Sequence, residues 1–402
     1  MTHNRVIKQQ EAVKAWVNNP KSTLNMCTGS GKTYTSIQII ELVHSKIGED
    51  FKCLIIVPTT IIRDEVFPNE FKKFNKEYLL RYCQIECIQT IYKYTDQFYH
   101  LVVVDEIHNM CYKLGEEYEY FKFFENNTYK YLLGLSASIA DEYLPSLNRI
   151  APISFKLTLS EAVTLGIVSP FIIYNVNITL NHEELKLYNS TQNSYNYYEA
   201  LLGGPYKAFT NANILMKSND EEGKKTAFIF HNLIRKRKSI LDNAINKKFA
   251  VNEILSNFKN SNGLIFSESI IQAGKLIEEN DKAIVYHSKL KKSERLNAIN
   301  RLNSVNDKVH IISAVKALNE GLSIDSIEFT IITAGNSKIK DTIQRIGRTC
   351  RFVENKIAYI FRLYVKNTQE EKWVKKSQLE INQDFIKYVN LEDLLKELTT
   401  KT

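Results

Sequence analysis

The 402-residue sequence predicts two tandem α/β units with parallel sheets, a helical insertion before the second sheet and a helical C-terminal cap. Three observations carry that prediction. Short continuous apolar runs such as Cys53–Val57 and Leu101–Val104 read as strands buried on both faces, the mark of a parallel sheet. Runs of this kind alternate with helical stretches in both halves of the chain, as right-handed βαβ crossovers require. Between the halves, Glu183 to Phe258 is polar and helix-patterned.

The first unit opens on Arg5 to Val17, an amphipathic helix closed by Asn18-Asn19-Pro20. On it, Gln9 has an amide that can donate and accept at once, as an adenine edge demands; Gln10 is one register step away, and either could equally be a surface glutamine. A strand, Ser22 to Met26, then runs into Cys27-Thr28-Gly29-Ser30-Gly31-Lys32-Thr33, which opens a helix reaching His44. That loop reads as a phosphate cradle. Its glycines let backbone N–H groups turn inward and the helix start adds the positive end of its dipole; Lys32 supplies a point charge and Thr33 a hydroxyl for Mg²⁺. Met26 occupies the position where the strict pattern has a small residue.

The strand Cys53–Val57 ends in Pro58-Thr59, and the strand His100–Val104 runs into Asp105-Glu106-Ile107-His108. A carboxylate at the C-terminal lip of a parallel strand beside a phosphate cradle can complete a Mg²⁺ shell, which is the expectation for Asp105. Its neighbour Glu106 is suited to orient or deprotonate an attacking water. The third strand, Tyr131 to Leu135, ends in two hydroxyls at the same lip, Ser136-Ala137-Ser138.

The stretch 150–180 reads as a connection with Pro152, Ser169-Pro170 and a helical run between them, and the domain boundary is expected there. Beyond it come four tyrosines (188, 195, 197 and 198) and a basic run, Arg235-Lys236-Arg237-Lys238, followed by Lys247-Lys248. Such a run is either a solvated helix face or a phosphate-contacting one, with Arg235 and Arg237 as the candidate contacts. Strands are expected at Gly263–Ser267, Ala283–His287, Val309–Ala314, Phe329–Ala334 and Ile357–Val365, with helices at Ile270–Glu279, Ser293–Asn303 and Ile339–Ile346. Amphipathic helices are expected to close the chain. The resulting division is 1–155, 156–258, 259–370 and 371–402.

Composition bounds the function classes. An apolar content of 44% with mixed charge describes an ordinary soluble protein and not a disordered one by default, and the net charge of +8 fits a polyanionic partner. The cysteines at 27, 53, 83, 87, 111 and 350 are scattered through apolar runs, as reduced packing thiols are; Cys83 and Cys87 alone make a poor zinc site. A polar N-terminus and the absence of an apolar run near 18 residues predict no membrane role and a protein that stays where it is made. The expected location is the cytoplasm or nucleoid, with a virus or phage as one source of an Asn-, Lys-, Ile- and Tyr-rich chain.

Further on stands Gln344-Arg345-Ile346-Gly347-Arg348-Thr349-Cys350-Arg351, and with it the ordered set resembles the superfamily 2 helicases and translocases. Gln9 resembles the family's adenine-contacting glutamine, Gly29–Thr33 its motif I, Pro58-Thr59 motif Ia and Asp105–His108 motif II. Ser136–Ser138 looks like motif III, Phe266-Ser267 motif IV, Asn319-Glu320-Gly321 motif V and Gln344–Arg351 motif VI. The resemblance implies two RecA-like lobes of P-loop NTPase type, with ATP and Mg²⁺ between them. It implies ATP contacts from Arg5, Gln9, Thr28, Gly29, Ser30, Gly31, Lys32, Thr33 and Gly321, metal contacts from Thr33 and Asp105, and catalysis by Lys32, Asp105, Glu106, Gln344 and the arginine fingers Arg348 and Arg351. Guanidinium forks that reach the γ phosphate only on closure make hydrolysis depend on lobe position. His108, Ser136 and Ser138 are implied to couple the steps.

Thr59, Thr90 and Ser267 are implied to touch nucleic-acid backbone at the lip opposite ATP, without sequence readout. Val315 and Ser323 depart from the family's usual Thr and Asp around motif V. Asp-Glu-Ile-His places the chain nearer the duplex-DNA translocases, restriction motor subunits and phage branch-migration helicases than the Asp-Glu-Ala-Asp RNA helicases. DNA is therefore favoured over RNA, with a recruiting protein partner as a further expectation. An RNA helicase or transcript-release ATPase, and an ATP-gated clamp without strand separation, stay open as alternatives.

Overall fold

The computed structural model describes residues 3–400 apart from 95, 114–117, 305, 316–326, 335–345, 348, 351, 354–355 and 380. The first lobe is built on six parallel strands: β1 (Lys21–Met26), β2 (Cys53–Val57), β3 (Cys83–Cys87), β4 (Phe98–Asp105), β5 (Thr128–Ser136) and β6 (Ile153–Leu157). Their spatial order is β3-β2-β4-β5-β1-β6. The two-residue period of a strand sends alternate side chains to opposite faces. Cys53, Ile55 and Val57 accordingly join Leu101 and Val103 beneath the helices His3–Asn18 and Lys32–Ile47, through Trp16, Ile37 and Ile40. Leu54, Ile56, Val102 and Val104 face the other way, onto Phe121, Phe123 and Phe124. Continuous apolar runs are what this double burial requires.

The second lobe contains β7 (Phe171–Ile178), β8 (Gly263–Ser267), β9 (Ala283–Tyr286), β10 (Ile311–Val315), β11 (Phe329–Ile332), β12 (Ala358–Val365) and β13 (Ile386–Asn390). These form a parallel sheet in the order β13-β7-β12-β11-β8-β10-β9. The two lobes share one stretch of core, in which Cys27 and Ile61 of the first lobe join Ile346 and Cys350 of the second.

Three sequence expectations need correction. The stretch 150–180 is not a plain connection, because it holds β6 and β7, one strand for each sheet. Asn175 interrupts the apolar run of β7 and hides it; inside the fold its amide exchanges reciprocal 3.0 Å hydrogen bonds with that of Gln378. The helical insertion therefore enters after the second sheet has begun, between β7 and β8. The C-terminal segment is not wholly helical either, since β13 lies between the helices Gln369–Lys376 and Leu391–Thr399. β13 is a half-exposed edge strand with a short apolar signal.

The insertion itself divides in two. Helices His182–Leu201, Ala208–Lys217 and Glu221–Asp242 form an arm with its own small core of Leu202, Ala208, Ala212, Ala227 and Phe230. The next helix, Ile245–Ser256, instead covers the second sheet through Ala250, Val251, Ile254 and Leu255. Among the described residues no helix is long and apolar enough to cross a membrane.

Candidate active site between the lobes

Because every strand of the first sheet is parallel, every strand delivers its C-terminal end to one edge. Reading that edge outward from β1 gives the cradle Cys27–Thr33, then Ser136–Ser138 after β5, Asp105–His108 after β4, Thr59 after β2 and Thr90 after β3. With strands about 4.8 Å apart, the cradle and the acidic pair lie two strands, or about 10 Å, apart on one edge. Thr59 and Thr90 thus share the cradle's edge at its far end, which corrects the expectation that they occupy an opposite lip.

The cradle is shaped by what it must admit. Gly31 has φ +94°, and a Cβ there would overlap the side-chain amide of Gln9. Gln9 is buried and donates from Nε2 to the Ser30 carbonyl at 3.0 Å, while its Oε1 is enclosed and without a hydrogen-bond partner. The Ser30 hydroxyl is used inside the loop, donating to the Cys27 carbonyl at 2.7 Å. Lys32 Nζ lies back on the Met26 carbonyl at 3.1 Å, so the residue that departs from the usual pattern contributes only its backbone. Cys27 is buried as well, and burial pushes its thiol up to about 11. It is a packing group and not a nucleophile. Thr33 stands half-buried in the first turn of Lys32–Ile47.

At the end of β4 the chain turns sharply: Glu106 adopts φ 52°, ψ 52°, a left-handed conformation rare outside glycine. The turn brings Glu106, His108 and Ser136 together in a buried cluster. His108 Nδ1 lies 2.8 Å from Ser136 Oγ and 3.4 Å from Glu106 Oε2. The Ser136 hydroxyl faces the Ser138 carbonyl at 3.0 Å and Glu106 Oε2 at 3.3 Å. Both of those partners only accept, so the network is satisfied when His108 carries its proton on Nδ1 and donates to Ser136. β4 and β5 are thereby tied at their lips. The Ser138 hydroxyl is buried beside them without a hydrogen-bond partner.

The second lobe closes over this edge. A Cβ on Gly347 would overlap the side chain of Thr28, so the segment around Gly347 packs directly on the cradle. Ser169, fully buried, pins the same segment: its N–H donates to the Cys350 carbonyl at 2.9 Å and its Oγ accepts from the Val353 N–H at 3.0 Å. Arg5, expected at the nucleotide, is half-buried and donates from Nη2 to the Ile167 carbonyl at 2.7 Å; burial lowers its pKa. It holds the segment that leads into the second lobe. Gln344, Arg348, Arg351 and Gly321, with the rest of motif V, lie outside the described residues.

The outer candidates fall into different environments. Thr59 Oγ1 accepts from the Ile62 N–H at 3.4 Å, and Thr90 Oγ1 donates to the Cys87 carbonyl at 2.9 Å, both half-buried at the lip. Ser267 is enclosed, which does not fit a direct backbone contact in this arrangement of the lobes. Arg235 is exposed. Arg237 is not available to phosphate: it is buried, with its guanidinium 3.8 Å from the centroid of the Tyr195 ring. Lys247, from the second basic run, is also buried, paired with Glu370 at 2.7 Å. Sequence reading missed Ser169 and this pair because their partners are 123 or more residues away, with no local signal.

A family model described as type III restriction enzyme, res subunit, matches residues 6–141, and one described as helicase conserved C-terminal domain matches residues 246–353. The DNA 3'-5' translocase XPB2 of Sulfurisphaera tokodaii is 22% identical over 90% of this chain and 82% of its own. Among solved structures, S. cerevisiae Dbp5 bound to RNA and ADP BeF3 has a TM-score of 0.63 at 13% identity, covering 98% of this chain and 92% of its own. The ATP-dependent type ISP restriction-modification enzyme LlaBIII bound to DNA has a TM-score of 0.61 at 14% identity, covering 99% of this chain and 32% of its own. Two parallel-sheet lobes, a cradle and an acidic pair on one edge, and the two family models matched in order are together the make-up of an ATP-hydrolysing superfamily 2 helicase or translocase.

Proposed function

We propose that this chain is an ATP-driven DNA motor that moves on duplex or branched DNA and remodels or separates its strands. The observation that carries the reading is the packing of the Gly347 segment on Thr28 of the cradle. Gly347 belongs to the same sequence motif as Arg348 and Arg351, and with those arginines as fingers closure of the lobes decides whether hydrolysis proceeds. Lys32 leaves the Met26 carbonyl for the β and γ phosphates, and Gln9, already seated on the cradle with a spare acceptor, reports an adenine. Thr33 and Asp105 are oxygen donors suited to a hard divalent cation that keeps waters and phosphate oxygens as its other ligands. When bound, Mg²⁺ neutralises charge developing on the β and γ oxygens.

Glu106 orients the attacking water and takes its proton. Held by Ser136 and His108, its carboxylate stays in place while the phosphates move. The same cluster ties the acidic turn to Ser138, so a change at the γ phosphate shifts the neighbouring lip. Thr59 and Thr90, farther along, meet nucleic-acid backbone in this reading through hydroxyls and N–H groups, with no sequence readout. DNA is preferred because XPB2 is named a DNA translocase and LlaBIII is bound to DNA, while Dbp5 is bound to RNA. A recruiting protein partner is part of the same reading.

The test is steady-state ATP hydrolysis without nucleic acid and with single-stranded, duplex or forked DNA or RNA, using Lys32→Ala as the blank. Strong stimulation by duplex or forked DNA, abolished in the blank, is expected. Stimulation by RNA alone would make the chain an RNA-directed helicase. No stimulation at all would favour a clamp gated by a protein partner.

A further inference from the structure

The arm formed by His182–Leu201, Ala208–Lys217 and Glu221–Asp242 has an outer face that its small core leaves uncovered. Tyr206, in the turn between the first two helices, is 97% exposed; Phe209 is 58% and Phe228 55% exposed. Phe209 meets His231 edge-on at 5.6 Å, which gathers aromatic groups of two helices on one side of the arm. Along Glu221–Asp242, Lys224, Phe228, His231 and Arg235 follow one another at spacings of four, three and four, which is a single helical stripe; Lys224 also pairs at 2.9 Å with Glu221, an exchangeable surface ion pair. Lys207 adjoins Tyr206.

Phe209 meets His231, one helical turn from Phe228, and with Tyr206 at the adjoining turn they leave three large rings in water, which needs an occupant. The cations among them say which kind. A protein-binding patch is depleted in lysine at its centre, whereas rings alternating with Lys and Arg are what unpaired nucleic acid takes: base faces stack on the rings and phosphates lie by the cations. A duplex hides its base faces and gives the rings nothing to stack on. The arm is anchored firmly to the second lobe. Lys238 pairs with Glu268 at 2.7 Å, and Gln272 donates to the Asp242 carbonyl, fixing the arm to the C-terminal end of β8.

We propose that the outer face of this arm, built from Tyr206, Phe209 and Phe228 with Lys224 and Arg235, is a stacking platform for the unpaired strand of the motor's substrate. The inference rests on the motor reading above and adds to it the strand state that the arm recognises. A motor with such a platform retains the displaced strand while the lobes track backbone, so re-annealing behind it is slowed.

The test measures fluorescence anisotropy of labelled oligonucleotides on the full chain without nucleotide. The probes are a run of about twenty thymidines, an abasic oligomer of the same length and a duplex of that length, long enough to span one arm. The wild-type chain should bind the thymidine run about tenfold more tightly than the abasic one, as loss of stacking predicts. A Tyr206→Ala, Phe209→Ala, Phe228→Ala variant should erase that difference, leave duplex affinity within about twofold and keep the salt slope. All three side chains are exposed, and an unchanged melting temperature verifies the variant's fold. Equal wild-type affinity for the thymidine and abasic oligomers would overturn the platform without any variant, as would an equal loss on duplex. A wild-type chain that binds no nucleic acid in any form would instead overturn the motor reading on which the platform depends.

Discussion

The C-terminal edges of the two sheets have the same parallel architecture, and the end of β1 differs in chemistry from the end of β11. On the first, functional groups rest in bonds that a substrate can replace: Lys32 on a carbonyl, Gln9 with an empty acceptor, and Ser138 with an unpartnered hydroxyl. On the second, the groups near the end of β11 are saturated. The Thr333 hydroxyl donates to the Phe266 carbonyl at 3.0 Å, and Lys247 donates to the Thr333 carbonyl at 2.9 Å while pairing with Glu370. The first edge is kept convertible, and the second is braced where β11 ends. In the proposed motor the first lobe needs groups free to change partners with a nucleotide, whereas the second needs a stiff frame to close against it.

Substitution on each edge breaks this comparison in its own way. On the first, Glu106→Gln keeps the size of the side chain and removes the base, so kcat should fall by about 10²- to 10⁴-fold. Nucleotide binding, followed with a fluorescent ATP analogue, should persist and the melting temperature should not drop. On the second, Lys247→Ala strands the buried carboxylate of Glu370, at a cost of about 3–5 kcal/mol. Urea unfolding should show that loss, while turnover per folded molecule at low temperature stays close to wild type. Reversed outcomes, with Lys247→Ala losing turnover at full stability, would place chemistry on the edge assigned here to bracing.

Acid and base sharpen the same contrast. Asp242 lies at the root of the arm, near Lys247, Lys238, Glu370 and Glu268, and burial pushes its carboxyl up to about 7 from an ordinary 3.8. Between those values the folded chain keeps a proton that the unfolded chain has lost. Stability contributed by this group therefore falls as pH rises from about 4 to about 7 and is level above that. Asp242→Asn should flatten the decline and exceed wild type in urea midpoint at about pH 8. A wild-type midpoint that rises through this window, with the variant following it, would remove Asp242 from the brace.

How far the sequence told these edges apart follows from where each signal lies along the chain. The cradle, the acidic turn and the serine pair were legible because each occupies a handful of adjacent residues after an apolar strand, and the strand's direction fixes the edge. Their order along that edge was not legible. It depends on β5 entering between β4 and β1, a pairing that leaves no mark on either strand. β7 was hidden by Asn175 and Asn177, whose polarity looks like a loop until the distant Gln378 is brought to Asn175. The basic runs misled for a related reason. Charge spacing on a helix identifies a stripe but not the element that covers it, and Tyr195 covers Arg237 while Glu370 covers Lys247.

That ambiguity yields the smallest and cleanest prediction, within a single helix. Arg235 and Arg237 are two residues apart on Glu221–Asp242, one exposed and one stacked on Tyr195. A desolvated cation over an aromatic face contributes about 2 kcal/mol, so Arg237→Ala should loosen the arm by roughly that amount. Proteolysis between His182 and Asp242 should speed up while the salt dependence of DNA binding keeps its slope. Arg235→Ala should do the converse, leaving proteolysis unchanged and reducing the slope by about one phosphate contact. If both variants change the slope equally, the Tyr195 stack opens when DNA binds, and the run acts as one phosphate-binding face in the complex.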